Sequence, residues 1–264
     1  MTFAALCGEA FLAEGALAAI MTGGWAAQRF SGQSCWIDAI WSFGVGATGV
    51  ALALAPIGSS QVSSWRMAAV AIAAAFWSLR LGLHIVARTR KAPDDPRYRK
   101  LIDEWGPSAP SRLFLFLQAQ ALVGAALALS VALAAAAPST SLRPQDVLGL
   151  AIFAIALVGE AAADLELRRF KSNPARRGQI CDIGLWGRSR HPNYFFEWLI
   201  WFAFAVVACD AGIGLVAWIA PALMYWTLRY ASGVPPIEEH MLLTRGEEFR
   251  VYRARTPVFF PRLF

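Results

Sequence analysis

The densest group of reactive side chains in this 264-residue chain lies between Gly184 and Trp201, in GLWGRSRHPNYFFEWLIW. Arg188, Arg190, His191, Asn193, Tyr194 and Glu197 crowd the opening of an apolar segment that approaches membrane length. Ionisable groups beside hydrocarbon are costly, and they persist mainly where they face a polar cavity or pathway. A snorkelling interfacial belt needs only an Arg and an aromatic ring. It does not call for His, Asn and Glu together, so this stretch reads as a ligand site. Asn193 and Glu197 are four residues apart and share one helical face. Side by side, a carboxamide and a carboxylate can both donate to and accept from an amide.

A second group is Glu160, Asp164, Arg168 and Lys171, spaced by four, four and three and again on one face. An exposed ladder of ion pairs is the ordinary reading. Against it, Glu160 and Asp164 fall in an otherwise apolar run, where carboxylates are disfavoured. A stripe that passes from acid to base suits a nucleotide, because carboxylates bind ribose or amide groups while Arg and Lys bind phosphates. Arg80, His84 and Arg88 form a third face at four-residue steps. A lone His would read as packed core; framed by two Arg it stays open as a site group. Asp38, between Trp36 and Trp41, suits either an N-cap or an acid lining a cavity. Beyond the last apolar run, SGVPPIEEH sets Glu238, Glu239 and His240 directly after two helix-breaking prolines. Arg250, Tyr252, Arg253 and Pro257 follow. This tail reads as a solvated charged segment or as a lid over a cofactor.

The elements that must position these groups are membrane spans. Of all residues 57% are hydrophobic and 16% charged, against about 25% charged in soluble domains. Seven segments approach the ~20 apolar residues a bilayer requires: 2–21, 36–57, 65–87, 113–137, 147–163, 194–209 and 213–230. The expected architecture is all-α, an integral membrane bundle of about seven transmembrane helices in one polytopic domain over 1–264, its cofactor-binding half about 147–264. Only Asp210, Ala211 and Gly212 join the last two spans, which predicts an antiparallel hairpin. Glu9 and Glu14 and the lack of a basic n-region argue against a cleavable signal. Lys and Arg concentrate after the third, fifth and seventh spans and are scarce after the second, fourth and sixth. That alternation predicts the N-terminus outside and the C-terminus in the cytoplasm. In the loop after the third span, Arg97 to Trp105 reads as an amphipathic helix at the interface. In the tail, Leu242, Leu243, Phe249 and Tyr252 are placed to dock on the bundle.

The net charge of +6 gathers in these loops, the pattern of a membrane protein and not of a nucleic-acid binder. Cys7, Cys35, Cys181 and Cys209 show no CxxC spacing, so neither a disulfide framework nor a metal site is expected. GxxxxGK[ST] and HExxH are absent from the sequence, and its GxGxxG, Gly44–Gly49, falls inside the second apolar span and not between a strand and a helix. That excludes a soluble Rossmann or P-loop domain, so any nucleotide binds within the helices.

The chain resembles the steroid 5α-reductase superfamily, most closely its bacterial branch of uncharacterised membrane proteins. RLGLH (Arg80–His84), GLWGRSRHPNYFFEW (Gly184–Trp198), SGVPPIEE (Ser232–Glu239) and YRARTP (Tyr252–Pro257) carry the resemblance, which covers about the whole length. It implies a multi-pass reductase of the inner (cytoplasmic) membrane. NADPH would enter from the cytosol, and a hydrophobic enone substrate from among the membrane lipids. By position, Asp164, Arg168 and Lys171 resemble family nucleotide contacts, Asn193 and Glu197 family contacts to the nicotinamide end, and Arg88 a basic residue on the third span. Glu160, Arg190, His191, Tyr194, Glu238, Glu239, Arg250, Tyr252 and Arg253 complete the candidate cofactor set. The steroid enzymes set a Glu on the second span and a Tyr on the third against the substrate carbonyl. No Tyr lies between Trp65 and Tyr98 here, and Ile85 stands near its place, so Asp38 and His84 are the candidate catalytic acids. The RHPNY piece also resembles isoprenylcysteine and phospholipid methyltransferases. These use S-adenosylmethionine in a similar helical fold, which is the alternative function.

Overall fold

The helices begin where side chains can satisfy the first free amides. Thr2 Oγ1 accepts from Ala5 N at 3.2 Å and opens α1 (Phe3–Ser31). Asp95 accepts from Arg97 N at 2.9 Å and opens α4 (Pro96–Trp105), with Pro96 in the first turn, where a missing N–H costs nothing. The other helices are α2 (Ile37–Leu54), α3 (Ser64–Thr89), α5 (Ala109–Ala135), α6 (Pro144–Ser172), α7 (Gly184–Arg188), α8 (Pro192–Ala208), α9 (Ile219–Trp226) and α10 (Val234–Arg255). The computed structural model describes residues 2–56, 63–90, 94–137, 139, 141–209 and 213–262, and among these the regular structure is entirely helical. The expected hairpin turn Asp210–Gly212 lies outside the described residues, as does Ile57 at the end of the second expected span.

Among the described residues, five helices are long and apolar enough to cross a membrane: α1, α2, α3, the stretch containing α5, and α6. Most outrun their sequence estimates; α1 has 29 residues, continued to Ser31 by TGGWAAQRFS, and α6 extends to Ser172, continued beyond the apolar run by charged residues. The sixth expected span is the shorter apolar α8, of 17 residues. The seventh is not one regular helix. A tightly wound 3₁₀ stretch (Ile213–Trp218) leads into the eight-residue α9, and a π-helical turn (Thr227–Ala231) follows. Pro221 has no amide to donate, so regular α-helix starts only just before it.

The chain forms two compact units, 1–147 with 204–220 and 148–203 with 221–264. In the first, α1 packs on α2 and α5, and α2 on α3 and α5. Small residues allow the closest approach: a Cβ on Gly46 would collide with Ser78 Oγ, which itself donates to Ser42 O at 3.1 Å. At the start of α3, Arg66 is 1% exposed and grips both oxygens of Asp146 at 3.1 and 2.8 Å. Its guanidinium also donates to the carbonyls of Ala137, Ser139 and Ser141, which lie beyond the end of α5. Arg143 supplies further donors to Asp146, so this buried charge pair is fully bonded.

In the second unit, Gly159 admits the ring of Phe196, which a Cβ there would overlap. Trp186 Nε1 donates to Ala163 O at 2.9 Å, and Leu185 N to Glu166 Oε2 at 3.0 Å, so α7 is fastened to α6. Phe170, Cys181 and Trp186 form one buried cluster, and Ile180, Phe249 and Tyr252 another. Leu242 packs against the latter, but Leu243 is 80% exposed. The docking expected for Leu243 is therefore corrected: 242, 249 and 252 follow the inward helical face, and 243 falls outside it.

Candidate functional site

The site in the second unit is built where α7 turns into α8. Ser189 N closes α7 on Leu185 O at 3.0 Å, and Phe195 N returns to His191 O at 3.1 Å as α8 begins. Arg190 and His191 sit between these two bonds with their side chains turned inward, 9% and 5% exposed. Arg190 Nε donates to Glu238 Oε1 at 2.7 Å, and Nη1 to the carbonyls of Thr256 (2.5 Å) and Arg253 (3.1 Å). His191 Nε2 lies 3.2 Å from the same Glu238 oxygen, and its ring stacks on Tyr194 at 5.5 Å. Arg253 Nε stands 3.9 Å from Glu238 Oε2. The backbone adds Arg190 N to Pro257 O (2.9 Å) and Arg262 N to Arg188 O (3.0 Å), and Ser189 Oγ donates to Phe259 O (2.8 Å).

Electrostatics follow from this geometry. Burial alone would raise the Glu238 carboxyl, but the His191 and Arg190 hydrogen bonds and the Arg190 charge outweigh it and hold it at about 2. Burial lowers His191 below its ordinary value against the pull of Glu238, so its ring is neutral and its Nε2–H donates. Burial also pushes the Tyr252 phenol up, and its hydroxyl donates to Trp186 O at 2.6 Å. Arg190, His191, Glu238, Arg253 and Tyr252 thus form a clamp that ties α10 and the following tail to α7 and the start of α8.

The remaining candidates of this unit take other positions. Asn193 and Tyr194 are half-buried in the first turn of α8. One turn on, Glu197 is 5% exposed and its Oε1 accepts from Trp201 Nε1 at 3.0 Å. Glu160 and Asp164 are buried on α6, while Arg168 and Lys171 are exposed nearer its end. The expected passage from acid in the helix body to base at its end is therefore present. Glu239 and Arg250 lie exposed on α10, and Arg250 pairs with Glu247 at 2.9 Å.

Within the first unit, Asp38 is embedded in a network. Its carboxylate pairs with Arg97 and accepts from the Tyr98 hydroxyl at 2.8 Å. Gln120 Nε2 donates to that hydroxyl at 3.1 Å, and Asp95 also holds Arg97. Tyr98 is 3% exposed. His84 is half-buried on α3, and Arg88 is exposed with Asp95 at 3.7 Å. Sequence reasoning missed Tyr98 and Trp201. Trp201 had a signal, since it lies four residues after Glu197 on one face. Tyr98 had none, because 60 residues separate it from Asp38.

A family profile described as "Protein of unknown function (DUF1295)" matches residues 24–256. The chain is also 29% identical over 101 residues to a protein of Ustilaginoidea virens named "Probable O-methyltransferase ustE". That match covers 38% of this chain and spans about a third, 34%, of the relative's length. No solved structure matches the chain significantly.

Proposed function

This chain belongs to the DUF1295 family, a steroid 5α-reductase-like family, and from that premise we propose that it is an integral-membrane NADPH-dependent reductase. Its substrate is a hydrophobic molecule with a C=C bond conjugated to a ketone, steroid-like or another lipid, which enters from the bilayer. The observation that carries the reading is the buried carboxylate of Glu197, oriented by Trp201 one turn beyond Asn193 on α8. An amide oxygen, an amide nitrogen and a carboxylate on one face match the donors and acceptors of a carboxamide. Exposed Arg168 and Lys171 suit phosphates, and buried Glu160 and Asp164 suit ribose hydroxyls. The donor set therefore fits a nicotinamide dinucleotide.

NADPH, when bound, supplies hydride. The protein's task is to orient and to move charge. Asn193 and Glu197 fix which ring face is presented. The Arg190–His191–Glu238 clamp, with Arg253 and Tyr252, holds the tail in place. Tyr194, Glu239 and Arg250 add polar groups of the second unit for the nucleotide, and Arg88 of α3 is carried over from the family resemblance as a further basic contact. Asp38 or His84 serves as the acid that stabilises charge developing on the carbonyl oxygen. Two further crossings, by α8 and by the run Ile213–Ala231 that contains α9, give seven spans, with the N-terminus outside and the C-terminus in the cytoplasm of the inner membrane.

A second reading, methyl transfer from S-adenosylmethionine, is favoured by the name of the Ustilaginoidea virens relative. Titrating the purified protein with NADPH, NADH and S-adenosylmethionine separates the two. Wild type should bind NADPH. Arg168→Ala should weaken NADPH about tenfold and NADH much less, as expected for one charge-assisted contact to the 2′-phosphate. Binding of S-adenosylmethionine without NADPH would replace the reductase reading.

A further inference from the structure

The last apolar run ends in a π-helical turn, Thr227–Ala231, where Ser232 N bonds back five residues to Thr227 O at 3.0 Å. In a regular α-helix, residues five apart point about 140° away from each other. In the wider turn Tyr225 and Tyr230 meet, their ring centroids 6.0 Å apart. Such turns are rare and concentrate at functional sites. Tyr225 in turn stacks on Phe260 of the tail at 5.9 Å. The tail is itself strapped to the α7–α8 turn, with Arg262 N donating to Arg188 O at 3.0 Å.

The surface assembled in this way is aromatic and basic. Trp226, Tyr230 and Phe260 are 58%, 56% and 51% exposed. The Arg229 guanidinium lies over the Tyr230 ring at 4.8 Å, and Arg188 and Arg262 are exposed. Burial first, then the charges of Arg190 and Arg229, keep His191 neutral against the pull of Glu238, which puts Arg229 near the same α7–α8 turn. Among the described residues, no ion pair takes up Arg188, Arg229 or Arg262. Asp and Glu are absent from 184–192, 221–231 and 256–262. Cations gathered without a counter-charge repel one another, and an anion among them removes that cost. A soluble anion would leave the three large rings in water. A lipid meets both demands, because its phosphate sits directly above apolar carbons. We propose that Arg188, Arg229 and Arg262, with Trp226, Tyr230 and Phe260, form a site for one anionic phospholipid. The guanidiniums take the phosphate, and the rings line its glycerol and upper acyl carbons. A plain interfacial belt accepts any lipid, whereas this site selects by charge. It rests on the membrane placement proposed above and not on the choice of cofactor.

The test titrates the detergent-solubilised full chain with dioctanoyl-phosphatidylglycerol, dioctanoyl-phosphatidylcholine and inorganic phosphate. Binding is read from amide hydrogen exchange in 227–232 and 256–262, and the melting temperature without lipid reports folding. Phosphatidylcholine carries the same phosphate under a compensating cation. Phosphatidylglycerol should therefore bind about tenfold more tightly, slowing exchange in both segments and leaving α6 unchanged. Arg229→Gln and Arg262→Gln should each weaken phosphatidylglycerol about tenfold, the loss of one charge-assisted contact, and phosphatidylcholine less than about twofold. Phe260→Ala should weaken both lipids by the same factor, since it removes apolar contact alone. Equal affinity for the two lipids would overturn the assignment, as would a preference that survives the double substitution of Arg229 and Arg262. Inorganic phosphate that protects the tail as well as phosphatidylglycerol does would replace the lipid with a soluble anion. Should the Arg variants fail to fold, the wild-type exchange pattern decides: protection by phosphatidylglycerol confined to other segments overturns the site.

Discussion

Glu238→Gln is the substitution that tests the clamp most directly. The side chain keeps its shape and loses its charge, leaving the buried Arg190 guanidinium beside a neutral amide. The carboxyl is held at about 2 against an ordinary 4.5. At about 1.4 kcal/mol for each tenfold change in proton affinity, that corresponds to about 3 kcal/mol. Water reaching the cluster past Arg253, 54% exposed, screens part of the field and brings the figure to about 2 kcal/mol. The loss should appear where the clamp acts. Amide hydrogen exchange in α10 and in residues 256–262 should speed up about 30-fold at neutral pH, with α6 nearly unchanged. The acid limb carries a second signature. The Glu238 contribution is complete above pH 4.5 and is lost as the pH falls toward about 2, since the folded value lies below the unfolded one. His191, held below 6.5 when folded, adds a loss that begins as the pH drops below 6.5, because the unfolded chain takes up that proton first. In Glu238→Gln the loss between pH 4.5 and 2 assigned to this site should vanish. Unchanged exchange in α10 would show that the buried ion pair does not fasten the tail.

Two further outcomes concern packing and buried charge. Arg66→Met leaves Asp146 with Arg143 as its remaining cation and strips donors from three carbonyls, so it should cost about 3 kcal/mol in thermal or denaturant unfolding; a loss under about 1 kcal/mol would contradict the network. Gly159→Ala should destabilise by about 1–3 kcal/mol because its Cβ meets the Phe196 ring, and Phe196→Ala in the same chain should relieve part of that loss; strict additivity of the two changes in a melting assay would refute the contact.

The sequence by itself determined the class of this protein and the local geometry of its helices. A hydrophobic share of 57% with charges gathered in loops leaves a membrane bundle as the solution. Spacing within one helix is equally readable. Glu160 and Asp164 on α6, and Asn193, Glu197 and Trp201 on α8, share faces because the helical repeat fixes them, whatever else the chain does. Even the amphipathic α4 was legible from its charges and its flanking prolines. The tertiary structure alone decided which charges meet. Glu238 reaches Arg190 across 48 positions and Tyr98 reaches Asp38 across 60. No local period encodes such distances; they follow from how helices pack. Packing also decided that Leu242 faces inward and Leu243 outward, and that the last apolar run breaks around Pro221 instead of forming one even helix. Hydrophobicity says that a segment avoids water, but it is non-directional. The partner of a buried charge is set by hydrogen-bond geometry, and that exists only once the helices have assembled.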